Sequence, residues 1–204
     1  REKSGLEITS ENGEMIRAVD STAFFFDGNR SIHFHEGTIL LHLAKDAESF
    51  RVEAPLASVT LRAKKAATAL ISVTTSGGLK IIANERDMTI VLSDDDETKL
   101  RPGELVFALP EPQGLSRKMD VELTTILMTA DLLTGFEDPV PFSGSLRLAA
   151  VVQAQRIKGR FRAVVGDVMT GDNFQVKVVE EKEKEGESKK KGGLSKFFRG
   201  ILGH

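Results

Sequence analysis

The sequence predicts a mainly-β fold in which short strands stack as a β-roll or sandwich, joined by two short amphipathic helices and a terminal hairpin. Two observations carry this prediction. From about residue 6 to residue 109, short apolar or alternating runs are separated by turn signals about every 8–12 residues. Beyond residue 110 the apolar spacing changes to steps of three and four, which is typical of helices.

The first part of the chain is predicted to form strands with alternating faces. In the run SIHFHE, Ile32 and Phe34 lie on one face and His33 and His35 on the other. The acidic cluster 94–97 is predicted to be a solvated turn, because it lacks the alternating ligands and the glycine of a calcium loop. The predicted strands cover residues 15–19, 22–26, 31–35, 38–43, 49–53, 58–62, 67–74, 79–83, 88–92 and 104–109.

Two helices and a hairpin are predicted beyond the strands. Residues 120–133 and 145–156 show helical spacing of apolar positions, and in the second helix Leu146, Ala149, Ala150 and Gln153 share a face. The hairpin is predicted from residues 161–169 and 173–179, with a turn at Thr170-Gly171-Asp172 between them.

Composition limits the classes of function. The chain has 204 residues and a net charge of -2, so it gives no indication of nucleic-acid binding. It contains no Cys, which excludes disulfides, thiolate zinc sites and cysteine nucleophiles. It also contains no Trp and no Tyr, the rings on which sugar sites and broad protein interfaces depend. Motifs for phosphate loops, dinucleotide binding and a nucleophile elbow are absent from the sequence, so no cofactor is predicted.

Four regions are expected along the chain. Residues 1–110 form the all-β domain, and residues 111–179 form a helical extension with the hairpin packed on it. Residues 180–193 consist of Glu, Lys, Gly and Ser, a composition typical of a disordered linker. Residues 194–204 are predicted to form a short basic amphipathic helix.

The basic tail is the sharpest candidate contact site. It carries an apolar stripe, at positions i, i+3, i+4, i+7 and i+8, formed by Leu194, Phe197, Phe198, Ile201 and Leu202. Lys189, Lys190 and Lys191 precede the stripe and add positive charge. A helix this short is unstable alone in water. The stripe is therefore predicted to contact an anionic membrane surface, a groove on a partner protein, or the chain's own domain.

Residues 31–109 resemble the FecR-like domain family. The resemblance lies in four strings: SIHFHEGTILLHLAKDAESFRVEAP, LASVTLRAKKAATALISV, GGLKIIANERDMTIVL and TKLRPGELVFAL. The last string matches the closing-strand pattern of the family at Leu100, Pro102, Gly103 and Glu104. The sequence differs from the family pattern at Ala63-Lys64, where Gly-Thr is common, and at Asn84-Glu85-Arg86, where a glycine turn is usual.

The resemblance implies a stack or roll of short strands in the bacterial cell envelope. Signalling members of the family receive input from an outer-membrane transporter, and no catalytic residues belong to the family. A non-catalytic module that signals or acts as a scaffold through contacts with envelope proteins is therefore expected. The resemblance therefore implies a location in the periplasm or at the cell surface. The chain begins at Arg1 and not at Met, so a segment is expected to have been removed, by a signal peptidase or by trimming, and with it any targeting signal.

Two alternatives remain open at this point. His33 and His35 share a strand face, and His42 follows seven residues later, so a metal-dependent enzyme of the cupin type would use these three side chains. The competing interpretation of the histidines is an exposed polar face of a half-buried strand. The other alternative is a structural subunit of an envelope assembly.

Overall fold

The computed structural model describes residues 5–45, 49–93, 96–110 and 113–158. These residues form fourteen strands and three helices. The helices are α1 (Leu123–Thr129), α2 (Asp131–Thr134) and α3 (Ser143–Lys158). The strands are β1 (Gly5–Thr9), β2 (Met15–Val19), β3 (Ala23–Phe26), β4 (Ser31–Glu36), β5 (Thr38–Leu43), β6 (Phe50–Glu53), β7 (Ser58–Arg62), β8 (Ala67–Val73), β9 (Leu79–Ala83), β10 (Met88–Ser93), β11 (Asp96–Leu100), β12 (Glu104–Pro110), β13 (Gln113–Leu115) and β14 (Met119–Asp120).

The strands form two sheets, which confirms the mainly-β prediction. The first sheet has the order β1-β2-β5-β8-β9-β12-β13, with β14 also paired to β12. The second sheet has the order β11-β10-β7-β6-β4-β3. Neighbouring strands are antiparallel except β4 and β6, which are parallel. The chain therefore passes repeatedly from one sheet to the other.

The main core lies between the two sheets. Because side chains alternate along a strand, β5 directs Ile39, Leu41 and Leu43 toward the second sheet. They pack in one buried cluster with Ile32 and Phe34 of β4, which belong to the second sheet. The predicted alternation of β4 is confirmed: Ile32 and Phe34 are fully buried, His33 is half-buried and His35 is exposed.

The helices cover the outer face of the first sheet. Leu40 of β5 points away from the main core into a second apolar cluster with Leu132 of α2 and Leu146 of α3. The molecule thus has three layers: the second sheet, the first sheet and the helices. Among the described helices, none is both long and apolar enough to cross a membrane.

A buried arginine also fastens the helical layer to the first sheet. The Nε of Arg17 lies 2.5 Å from Oε2 of Glu7, and its Nη2 donates to the carbonyl oxygen of Asp138 at 2.7 Å. Its guanidinium stacks on the ring of Phe136, 4.3 Å from the centroid.

Two sequence predictions need correction. The helix predicted at 120–133 begins with β14 and is broken at Ala130, whose ψ is 117°, so that α1 and α2 are separate. Threonine is β-branched and has a low helix propensity, and α1 contains threonines. Asp131 is favourable in the first turn of a new helix because its negative charge interacts well with the helix dipole. The solvated turn predicted at 94–97 is wrong at Asp96 and Glu97, which belong to β11.

The other differences concern strands and segments that the pattern did not indicate. Strands β1, β11, β13 and β14 were not predicted: β13 and β14 have only three and two residues, and β11, with the sequence DETKL, holds a single apolar side chain. Helix α3 confirms the prediction at 145–156 and extends it by two residues at each end. The predicted hairpin at 161–169 and 173–179, the linker at 180–193 and the tail at 194–204 lie outside the described residues.

Candidate functional site

A groove lies where the loops that join the two sheets meet helix α3. Residues 63–66 join β7 to β8, and residues 84–87 join β9 to β10. These two crossings line the groove together with β11, Pro102 and α3, and its volume is about 930 Å³. Sites that hold small molecules or several side chains of a bound segment have this size. We call it the α3 groove.

Positive charge dominates the rim of the α3 groove. Six cationic side chains line it against three carboxylates, Glu85, Asp87 and Glu97. The cations are Arg62, Lys64, Lys65, Arg86, Lys99 and Arg156. Because the whole chain carries a net charge of -2, the groove is a local basic region on a mildly acidic protein.

Four of these cations are available to a ligand. Lys99 is held by Asp87 at 2.7 Å, and Arg156 is held by Asp120 at 3.0 Å. Arg62, Lys64, Lys65 and Arg86 take part in none of the ion pairs formed among the described residues. All four are exposed.

Helix α3 contributes apolar surface to the groove. Its inner face, with Leu146 and Ala150, is buried against the rest of the molecule. On the outer side, Leu148 and Val152 line the groove although they are 61% and 58% exposed. Val151, beside them, is 56% exposed. An apolar surface rimmed by polar residues is typical of a site that binds another molecule.

A buried polar network supports one wall of the groove. The Thr68 hydroxyl donates to Oε2 of Glu85 at 2.9 Å, and Ser145 donates to Oε1 of Glu85 at 2.6 Å. Since the Thr68 proton is directed at Glu85, Nδ1 of His42, 2.9 Å from the Thr68 oxygen, is assigned as a donor. The network joins β5, β8, the 84–87 crossing and α3, and so fixes Glu85 at the groove.

The surroundings of His42 favour its neutral form. Burial lowers its pKa from the ordinary value of 6.5, and the nearby Glu85 carboxylate, 3.7 Å away, raises it by a smaller amount. The net pKa is therefore lowered. His42 supports the groove wall from inside and has only 8% of its surface exposed.

Gln153, on the buried side of α3, fixes the position of this helix. Its side-chain oxygen accepts a hydrogen bond from the amide of Leu123 at 3.1 Å, and its side-chain nitrogen donates to the carbonyls of Val121 and Gly103. It is 1% exposed. A buried amide that satisfies three backbone groups sets the register of the helix against the first sheet.

The structure does not bring the three predicted histidines together. His33 and His35 lie on the outer face of the second sheet, where His33 contacts Asp27 and Glu53 at 3.2 and 3.1 Å. His42 belongs to the first sheet and faces the helices. Within residues 5–45, 49–93, 96–110 and 113–158, no group of three or more His, Asp or Glu side chains has the geometry for a metal ion.

The predicted contact residues of the tail lie outside the described residues. These are Leu194, Phe197, Phe198, Ile201 and Leu202, with Lys189, Lys190 and Lys191. Their assignment to a membrane or a partner protein stays a prediction.

The α3 groove was not found from the sequence, although one signal was present. Beside the inner set that includes Leu146 and Ala149, α3 has a second apolar set, Leu148, Val151 and Val152. A helix that is apolar on two faces needs a partner for each face. Packing of the helix on the β domain supplies a partner for only one of them. The basic wall could not be found, because it is assembled from two loops that are distant in sequence.

Comparisons with known proteins give limited similarity. No protein-family model and no curated protein sequence matches the chain. Two crystal structures, each of a candidate anti-sigma factor from Parabacteroides distasonis ATCC 8503, resemble it with 12% sequence identity. For the structure at 1.65 Å resolution the TM-score is 0.46, over 62% of this chain and 61% of that one. For the structure at 2.50 Å resolution the TM-score is 0.44, over 78% of this chain and 90% of that one.

The chain thus spans less than two thirds of the length of the first of these structures.

Proposed function

We propose that this protein is a non-catalytic binding module of a bacterial envelope signalling or regulatory system, and that the α3 groove binds an acidic, partly apolar segment of a partner protein. The single observation that carries the proposal is the combination of exposed apolar side chains on α3 with four exposed cations that have no carboxylate partner in the described chain. The resemblance of residues 31–109 to FecR-like domains supports the envelope setting.

The apolar and charged parts of the groove have separate roles. Burial of Leu148 and Val152 under a partner would supply affinity, because large exposed aliphatic side chains gain most from removal from water. Lys64, Lys65 and Arg86 would attract acidic segments and exclude basic ones. The rim lies on a body whose remaining surface is acidic, so it also orients the approach of a partner.

The loops that form the rim are also where the sequence differs from the FecR-like pattern. Ala63-Lys64 and Asn84-Glu85-Arg86 replace the usual residues at these two crossings. The differences from the pattern therefore fall on the two crossings that supply Lys64 and Arg86 to the rim. Loops that are held on a rigid strand scaffold often carry the contacts of binding modules.

The test uses a displayed library of random twelve-residue peptides with the full chain as bait. We expect the selected peptides to combine acidic with apolar residues and to bind less tightly as salt rises. A Lys64→Glu/Lys65→Glu variant should weaken a selected peptide about tenfold or more, as should Leu148→Asp. Arg117→Glu/Arg147→Glu makes the same change of charge outside the groove and should leave the affinity within about twofold.

The proposal fails if no peptide is enriched, if the enriched peptides are basic, or if both double variants weaken binding equally. Circular dichroism spectra of the variants show whether each one is folded. All the substituted side chains are exposed, so we expect them to leave the fold intact.

A further inference from the structure

The two sheets do not close on each other at the end of the sandwich where β1 and β3 lie. β1 is bonded to β2 alone and β3 to β4 alone in the part of the chain that the structure describes. Both are therefore edge strands, at the same side of the two sheets. Natural edges are usually protected by charge or proline, but β3 has the sequence AFFF.

Side chains that face the interior are exposed at this end. Leu6 of β1 pairs with Ala18, which belongs to the main core, and yet Leu6 is 50% exposed. Phe26 of β3 pairs with the fully buried Ile32 and is 45% exposed. Between the two edges lies an apolar cleft of about 450 Å³, lined by Leu6, Ile8, Phe24 and Phe26 among others. We call it the edge cleft.

The backbone of β3 also directs amide groups toward its free edge, where an added strand would bond to them. The amide of Asp27 donates to the carbonyl of Ser31 at 2.9 Å, so this is a hydrogen-bonded pair of the ladder. In an antiparallel ladder such pairs alternate, and Phe25 is therefore bonded to His33. The amides of Phe24 and Phe26 consequently point away from β4, toward the free edge.

The strands and turns beside the cleft are acidic, although the residues that line the cleft itself include no carboxylate. Strands β1 to β4 and their turns, residues 5–36, hold six carboxylates and two arginines. Both arginines are paired, Arg17 with Glu7 and Arg30 with Glu14. An added strand is therefore favoured if it carries lysine or arginine, and a second copy of this chain is disfavoured because it would bring two acidic edges together.

We infer that the edge cleft binds an extended segment of a partner protein by strand addition to β3, and that this segment alternates apolar residues with lysine or arginine. Its apolar side chains fill the gap between Leu6 and Phe26, and its backbone bonds to the amides of Phe24 and Phe26. The surface differs in position and in charge from the α3 groove. The inference therefore does not depend on the proposed function.

The test uses three synthetic heptapeptides and the full chain. The first alternates lysine with valine or phenylalanine, the second has the same composition in a non-alternating order, and the third has glutamate in place of lysine. We expect only the first to bind well, with the other two about tenfold weaker or more. Amide hydrogen exchange should show new protection at Phe24 and Phe26, while the Phe25 amide is protected with or without peptide.

Substitutions distinguish specific binding in the edge cleft from nonspecific binding to other exposed apolar side chains. Leu6→Asp and Phe26→Asp should each weaken the first peptide about tenfold, and Met128→Asp, on an exposed side chain of α1, should not. Because amide hydrogen exchange is measured on the unaltered chain, the test stays valid even if a cleft variant fails to fold. The inference is wrong if the non-alternating or glutamate peptide binds equally, or if Phe24 and Phe26 gain no protection. It is also wrong if they become protected with rising protein concentration alone, which would assign the cleft to a second copy.

Discussion

The imidazole of His42 stacks on the ring of Phe142, with centroids 4.0 Å apart and planes 8° from parallel. His42 belongs to the first sheet, and Phe142 directly precedes α3. A flat contact of this kind removes the imidazole from water and favours its neutral form. The contact therefore links the position of α3, and with it one side of the α3 groove, to the protonation of a single side chain.

Stability should fall in mildly acidic solution because of His42. Its folded pKa lies below 6.5, so between these two values the unfolded chain binds a proton that the folded chain does not. The stabilisation is complete above pH 6.5 and is lost as the pH falls through the folded pKa. Urea unfolding between pH 5 and 8 should show this slope, and His42→Gln should reduce it. An equal slope in the variant, or a His42 resonance that titrates above pH 6.5, would contradict the prediction.

Removal of the Gln153 side chain should loosen α3. Gln153→Ala leaves the amide of Leu123 and the carbonyl of Val121 without this partner, at a cost of about 1–3 kcal/mol for each buried group. Gln155→Ala, an exposed change two residues away, should alter the free energy of unfolding by less than about 0.5 kcal/mol. Denaturant unfolding of both variants measures the difference. Equal stabilities would show that Gln153 does not hold the helix.

The turn at Gly37 should not tolerate a side chain. Its φ is +96°, and a Cβ there would lie 2.6 Å from the Cα of Thr22. Gly28 also has a positive φ, of +91°, but has open space around it. Gly28→Ala should cost about 1–2 kcal/mol from backbone strain, and Gly37→Ala about 1–3 kcal/mol more from the clash. Thermal unfolding compares the two, and a similar loss in both would remove the steric explanation.

The basic tail should bind anionic membranes if its apolar stripe serves as an anchor. The full chain is compared with a version that ends at Glu181, by co-sedimentation with phosphatidylglycerol and with phosphatidylcholine vesicles. We expect only the full chain to bind, only to the anionic vesicles, and less at high salt. Phe197→Asp/Phe198→Asp keeps every lysine and should abolish binding. Binding by the shortened chain, or no binding by either, would exclude this role.

Local pattern was sufficient to predict most of the strands but not their partners. The alternation around Ile32 and Phe34 follows from a period of two, and the structure confirms it. His33 and His42 are nine residues apart, yet they lie in different sheets because the chain crosses at Gly37. Sequence patterns contain no information on that crossing, so the suggestion of a shared metal site could not be tested before the structure was known.

The candidate sites were hidden from the sequence for a related reason. Lys64 and Arg86 become neighbours only when two loops from different parts of the chain meet at one end of the sandwich. The edge cleft depends on β1, which was not predicted, and on the exposure of Leu6, whose apolar character alone suggests burial. Surfaces that are built from long-range pairing need the topology before they can be recognised.

The order of the strands also has a consequence for how the protein is made. Along the chain, strands join the first and the second sheet in turn. The first sheet grows in one direction from β1 to β12, and the second grows in one direction from β3 to β11. A strand therefore finds its neighbour soon after it is synthesised: β2 pairs with β5, and β8 with β9. Such winding requires little long-distance search, so folding can advance step by step while the later strands are still emerging from the ribosome.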